Sequence, residues 1–194
     1  MGEFVTDIQA IRRRARKEID KGAVTGGYKA DIGRVVSVLN EVLATEIVCV
    51  LRYRRHYFTA MGINAQPVAD EFLQHANDEQ QHADWVAQRI TQLGGSPNFD
   101  PEGLATRSHS QYDASSSLEA MIREDLVAER IAIESYSEIA RWLGSDDPTT
   151  RVLIENILKM EEEHADDLRN LLGTIKAPRA ATAKRGPRRR RGRG

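Results

Sequence analysis

The sequence predicts an all-α fold: a four-helix bundle with one long crossover between its second and third helices. Three observations carry that prediction. Apolar residues recur at helical spacing in four long stretches, each closed by a glycine, and no stretch alternates as a strand would. The linker between the second and third stretches is about twenty residues, against a handful elsewhere, so it can run the length of a helix of ~42 Å and return the chain to the opposite end.

The first core helix is expected from Asp31, an N-cap residue, to Met61 before Gly62. Val35, Leu39, Val42, Leu43, Glu46, Val50 and Tyr53 lie along one side, so one acid interrupts an apolar stripe. The second runs from Pro67, favoured in a first turn, to Leu93 before Gly94-Gly95, with Phe72, Ala76, Glu79, Ala83, Val86 and Ile90 in line. The third spans Ser115 to Leu143 and puts Asp125, Glu129 and Tyr136 among apolar neighbours. The fourth, Pro148 to Leu172 before Gly173, aligns Leu153, Ile157, Met160, His164 and Leu168, with Glu161 beside them. The crossover passes through Pro97, Pro101 and Tyr112.

The 194 residues then divide into a basic extension (1–30, with a short helix over Ile8 to Lys21 that Gly22 and Gly26-Gly27 detach), the bundle (31–174) and a tail (175–194). Net charge is only -1, but residues 177–194 hold eight Lys/Arg and no acid. Of 28 bases, 20 therefore remain against 29 acids, so the body is near -9 and the tail near +8. The tail has no large apolar residue to bury and is expected to be disordered. No run approaches a membrane span and the N-terminus lacks a signal-peptide pattern, so a cytoplasmic protein is expected. A single cysteine, Cys49, excludes CxxC metal sites and reads as a small buried hydrophobe.

The chemistry concentrates in two Glu-x-x-His units, Glu79 to His82 and Glu161 to His164, each followed by Ala-Asp. Residues three apart share a helix face, so each unit aims a carboxylate and an imidazole at one point. The halves of the chain also repeat: Glu46 and Tyr53 match Glu129 and Tyr136 at an offset of 83 residues, and Glu79 matches Glu161 at 82. Two related hairpins about a pseudo-two-fold axis would bring Glu46, Glu79, His82, Glu129, Glu161 and His164 to one locus. Four buried carboxylates need counter-charge, and no Lys or Arg is expected on the seams. Two metal ions supply it; an oxygen-rich set with one His per metal suits iron or manganese better than zinc, and is the general ligand set of di-metal carboxylate bundles. Tyr53 is the candidate redox or hydrogen-bonding neighbour, whereas Tyr136 reads as a core aromatic. Asp125 either supports a ligand or faces an access route, and His56, His75 and His109 are expected at the surface.

These residues resemble the ferritin superfamily, and bacterioferritin in particular, from Leu39 to Leu172. The resemblance implies that Glu79 and Glu161 bridge two irons while Glu46, His82, Glu129 and His164 cap them. It departs at Gln80, which stands where the family's haem-ligating Met would be, so haem is not expected there. No segment after Gly173 supplies the short fifth helix of 24-subunit cages, so a homo-oligomeric shell of twelve is favoured. The basic extensions are similar to those of DNA-protecting mini-ferritins, implying sequence-blind DNA binding by residues 177–194. Together these imply a ferroxidase and iron store acting on Fe(II) with O2 or H2O2. A stand-alone di-iron or di-manganese peroxidase or catalase would use the same ligands.

Overall fold

Asp31 accepts a hydrogen bond from the Arg34 amide at 3.1 Å, and the chain enters its first long helix there. The computed structural model describes residues 5–17, 19–62 and 65–176. They form α1 (Ile8–Ala15), α2 (Ile32–Thr59), α3 (Ala65–Gln92), α4 (Leu104–Arg107), α5 (Leu118–Leu143) and α6 (Pro148–Lys176), with a 3₁₀ turn at Ile19–Lys21 and no strand among the described residues. Helices α2 and α3 pack along their length as one antiparallel hairpin, α5 and α6 as the other, and the two hairpins meet through α2 with α5 and α3 with α6. The fold is the expected four-helix bundle with one long crossover.

Each end has a local cause. Gly94 turns the chain out of α3 at φ +79°, and a Cβ on Gly95 would come within 2.7 Å of Val36 Cγ1, so glycine there lets the turn close onto α2. Ser117 caps α5 by accepting from the Ala120 amide at 3.3 Å. Asp147 opens α6: its carboxylate accepts from the Thr150 amide, from Arg89 Nη2 at 2.9 Å and from the Tyr28 hydroxyl at 2.7 Å.

Two expectations are corrected here. Helix α6 does not stop at Gly173 but continues to Lys176, because nothing crowds that glycine and the helix hydrogen bonds carry on. Between the N-terminal helix and the bundle, Val24, Tyr28 and Ala30 pack against the core and Tyr28 is tied to Asp147. The N-terminal helix itself ends at Ala15, and none of its residues is buried. The remainder of the basic tail, 177–194, lies outside the described residues.

The crossover is laced onto α2 by side chains that meet it in sequence. Asn40 bonds both Ser96 and Asn98, the His109 amide donates to Thr45 Oγ1, and Arg52 and Arg55 donate to the carbonyls of Gln111 and Ser115. Those bonds satisfy a loop backbone that would otherwise be stranded beside the core. Apolar burial divides into two clusters. One end holds Leu39, Leu43, Val86, Ile90, Tyr136, Ile154 and Ile157; the other holds Tyr53, Phe72, Met121, Ile122 and Leu168. Each fully buried large side chain contributes about 1.5–3 kcal/mol. Between the clusters lies the polar locus.

Candidate metal centre

The helical seams deliver Glu46 from α2, Glu79 and His82 from α3, Glu129 from α5, and Glu161 and His164 from α6 to the middle of the bundle. All six are buried. Their ligand atoms fall into two groups, each with all atoms within 4.8 Å of one another: Glu46, Glu79, His82 and Glu161, and Glu79, Glu129, Glu161 and His164. Glu79 and Glu161 belong to both. The structure thus brings together every metal-ligand candidate read from the sequence.

The spacing is that of ligands around cations. His82 Nδ1 lies 3.1 to 3.5 Å from oxygens of Glu161, Glu46 and Glu79, and His164 Nδ1 lies 3.5 to 3.9 Å from Glu161, Glu79 and Glu129. Donor atoms ~2.0–2.2 Å from one ion stand about 3–3.6 Å from each other. Meanwhile Glu46 Oε2, Glu79 Oε1, both Glu161 oxygens and the Nδ1 atoms of His82 and His164 have no hydrogen-bond partner although water cannot reach them. Orphaned buried acceptors are costly, each ~1–3 kcal/mol, and this many at one point fits cations that they would ligate. Hard oxygens with one imidazole per group suit iron or manganese.

The electrostatics show how the site holds itself together without an ion. Burial and the charge of Glu79 push Glu46 up to about 8. Burial, with the charges of Glu161 and Glu79, raises Glu129 well above the carboxylate range. Burial also works to raise Glu79 and Glu161, but the facing imidazoles outweigh it and hold both below that range. Burial opposes charge on the two histidines, yet their carboxylate neighbours prevail, lifting His164 to about 10 and His82 higher still. Two carboxylates and two imidazolium ions balance.

Two tyrosines anchor the set symmetrically. The Tyr53 hydroxyl donates to Glu129 Oε1 and the Tyr136 hydroxyl to Glu46 Oε1, so each ring hangs from one half and steadies a carboxylate of the other. Tyr136 is therefore more than a core aromatic. Tyr53 differs in a second contact, 3.2 Å from its hydroxyl to His75 Nδ1.

Two histidines expected at the surface are fully buried. His56 bonds Asp125 through Nδ1 at 2.8 Å, and His75 stacks on His164 with ring centroids 4.0 Å apart. Their positions carried the signal: His75 stands four before Glu79 and seven before His82, and His56 three after Tyr53, so both lie on the inward seam. His109 is half-buried in the crossover. A buried arginine is present after all: Arg52 Nε lies 2.8 Å from Asp125 Oδ1. It sits beyond Tyr53, where Asp125 accepts from Arg52 Nε and pairs with His56, and the four glutamates keep no Lys or Arg among them. Cys49 is a buried free thiol. Gln80, at the position of the family's haem-ligating Met, is exposed and bonds Asp84 at 3.1 Å.

Comparison with known proteins places this geometry. A family model described as a ferritin-like domain matches residues 36–177. A nutrient stress-induced DNA-binding protein of Nostoc sp. is 30% identical over 141 residues, covering 71% of this chain and 77% of that protein. A bacterioferritin of Desulfovibrio desulfuricans is 26% identical over 144 residues, 74% of this chain and 76% of that one. Among solved structures, the bacterioferritin-related protein of Bacteroides fragilis, a dodecameric thioferritin, superposes with a TM-score of 0.73 at 32% identity, over 76% of this chain and 89% of that one. The Dps of Thermosynechococcus elongatus shares the fold, with a TM-score of 0.71 at 17% identity. With the family model matching well over half of its length, and its helices in the same arrangement, the chain belongs to the ferritin-like family.

Proposed function

We propose that this protein is a ferroxidase that oxidises Fe(II) with O2 or H2O2 at an intrasubunit two-iron centre and passes the product to a store inside a homo-oligomeric shell of twelve. The observation that carries the reading is the pair of buried four-ligand groups sharing Glu79 and Glu161. In it Glu79 and Glu161 would be shared by two ions, Glu46 and His82 would complete the hold on one, and Glu129 and His164 on the other. Fe(II), the substrate, supplies electrons in pairs to the oxidant.

The protein's own groups do the rest. Hard carboxylates favour the ferric product over the ferrous substrate. Tyr53 and Tyr136 fix Glu129 and Glu46, so the terminal carboxylates are oriented before a cation arrives. Tyr53, the hydroxyl in contact with both Glu129 and His75, is the residue placed to donate a hydrogen or an electron at the centre. The acidic body, near -9, draws cations toward it. The basic residues 177–194 supply a second activity, sequence-blind binding of DNA phosphates.

The test is an aerobic Fe(II) titration of metal-free protein, run with O2 and with H2O2 beside a Glu79→Ala, Glu161→Ala variant. Oxidation far beyond about two irons per chain, lost in the variant, is the expected result. Oxidation that stops near two replaces the store by a stand-alone di-iron enzyme. No oxidation, with Mn(II) bound instead, makes it a di-manganese one.

A further inference from the structure

Outside the centre, α3 and α6 set one more group of ligand atoms within 4.8 Å of one another: Glu71, His75 and Asp167. Asp167 is exposed and Glu71 half-buried, while the His75 side chain has no exposure at all. Its Nε2 points at this cluster, 3.3 Å from Glu71 Oε1, yet makes no hydrogen bond there. The other nitrogen, Nδ1, is occupied by the Tyr53 hydroxyl. A buried imidazole nitrogen aimed at two carboxylates without a partner has the donor set of a divalent-cation site.

The groups also connect. His75 belongs to a further set with Glu129 and His164, and those two belong to the inner centre. Ligand sets that share a residue at each step thus lead from an exposed carboxylate to Glu46 and His82 at full burial. A cation can exchange along them without crossing an apolar gap.

The chain's own repeat shows that the fold does not require these residues. At the same 82-residue offset that relates Glu79 to Glu161, Glu71 corresponds to Leu153, His75 to Ile157 and Asp167 to Trp85. Asp78, 3.5 Å from His164 Nε2, likewise corresponds to Met160, whose sulfur lies 3.2 Å from His82 Nε2. One mouth of the centre is therefore acidic and carries a histidine. At its symmetry mate those positions hold Trp85, Leu153, Ile157 and Met160, and no carboxylate or imidazole; three of them line a cavity of about 400 Å³ whose remaining walls are Gln88, Arg89, Gln92, Thr149 and Asn156. Helices of the same length and packing accept either chemistry.

We propose that Glu71, His75 and Asp167 form a third divalent-cation site, the outer station through which Fe(II) reaches the inner pair. The role as a station rests on the ferroxidase reading above; the site itself does not. The experiment is anaerobic equilibrium dialysis of the metal-free full-length protein with Mn(II), wild type against Glu71→Gln, Asp167→Asn, with anomalous diffraction from Mn(II)-soaked crystals of both. The wild type should bind about three ions per chain and the variant about two, with the missing density between Glu71 and His75. At limiting Fe(II) the variant's initial oxidation rate should fall about tenfold and recover as Fe(II) is raised. Equal stoichiometry in the two proteins, or density only at the inner groups, overturns the site. Density at the outer group without the inner pair keeps the site and overturns the ferroxidase reading instead.

Discussion

Filling the centre with divalent cations must expel protons. Near pH 7 Glu79 and Glu161 are ionised, while Glu46, His82 and His164 each hold a proton and Glu129 is pushed in the same direction as Glu46. The two histidines are imidazolium ions, and burial among like charges is what raises the two glutamates. A ligating carboxylate must be anionic and a ligating imidazole neutral, so loading two divalent ions releases about three protons per chain from Glu46, His82 and His164, and a further one to the extent that Glu129 holds it. The sign follows. Protons compete with cations, so affinity falls as pH falls, throughout the range below about 8 where Glu46 is protonated.

Between pH 7 and pH 6 the product of the two binding constants should drop at least about 10³-fold, equal to about 4.1 kcal/mol at 1.36 kcal/mol per proton and pH unit. Mn(II) titration of metal-free protein in weakly buffered solution, with the released acid followed by pH-stat, counts the protons directly. Calorimetry in two buffers of different ionisation enthalpy checks the count. A release of about two or fewer, or affinity that does not change between pH 6 and 7, would refute the reasoning: it would mean that the histidines are neutral before metal arrives, or that the ions bind elsewhere.

Other perturbations separate the remaining roles. Tyr53→Phe and Tyr136→Phe each remove one hydroxyl donor from a buried carboxylate and should weaken Mn(II) binding by a similar ~1–2 kcal/mol, whereas only Tyr53→Phe should slow Fe(II) oxidation beyond that loss, as stopped-flow absorbance will show. Arg52→Met strands the Asp125 carboxylate at zero exposure and should cost ~3–5 kcal/mol in urea unfolding, with the cost recovered in part by Asp125→Asn on the same background. Burial works to raise Asp147, but the hydroxyl and amide of Thr150, then Tyr28 and Arg89, outweigh it and hold it below its ordinary value. Its contribution to stability is therefore full above pH ~4 and lost as pH falls through the lowered value, and Asp147→Asn should flatten that acid limb of the unfolding curve. Ending the chain at Lys176 should abolish a low-salt DNA mobility shift and leave Fe(II) oxidation intact; with eight charges removed, the full-length salt slope should be no steeper than about -7.

How much of this was legible in the sequence follows from which physics was local. Helix positions came from a 3.6-residue apolar period and from caps such as Asp31, and both act within a few residues. The six ligands were legible because an acid on an apolar seam is conspicuous, and because the repeat at 82 and 83 residues fixed which seams face each other. Histidines were not legible in the same way, since imidazole is common both on surfaces and in cores. His56 and His75 declare themselves only when Asp125, from another hairpin, and Tyr53, from a neighbouring helix, close over them. The end of α6 was misread because glycine permits a stop without compelling one, and nothing in the packing near Gly173 exploits it. Tyr28 was missed as an anchor because its partner Asp147 lies 119 residues away.

The two halves agree in what they ligate and differ in what surrounds it, and that difference divides labour between the ends of the bundle. At the offset relating Glu46 to Glu129, Asp125 corresponds to Val42, Arg52 to Ser135 and His56 to Ile139. The buried network of Arg52, Asp125 and His56 at one end is thus matched by apolar packing at the other, where Val42, Ile154 and Ile157 have no exposure at all. Buried charge is costly even when paired, whereas buried hydrocarbon stabilises without condition of pH or metal. The end with the larger apolar cluster keeps one buried ion pair, Arg89 with Asp147, away from the six ligands, while the end of Arg52, Asp125 and His56 carries the charge and the histidines that reach the centre. Two-fold repetition builds the six-ligand set, and departures from it decide on which side a cation can meet polar groups.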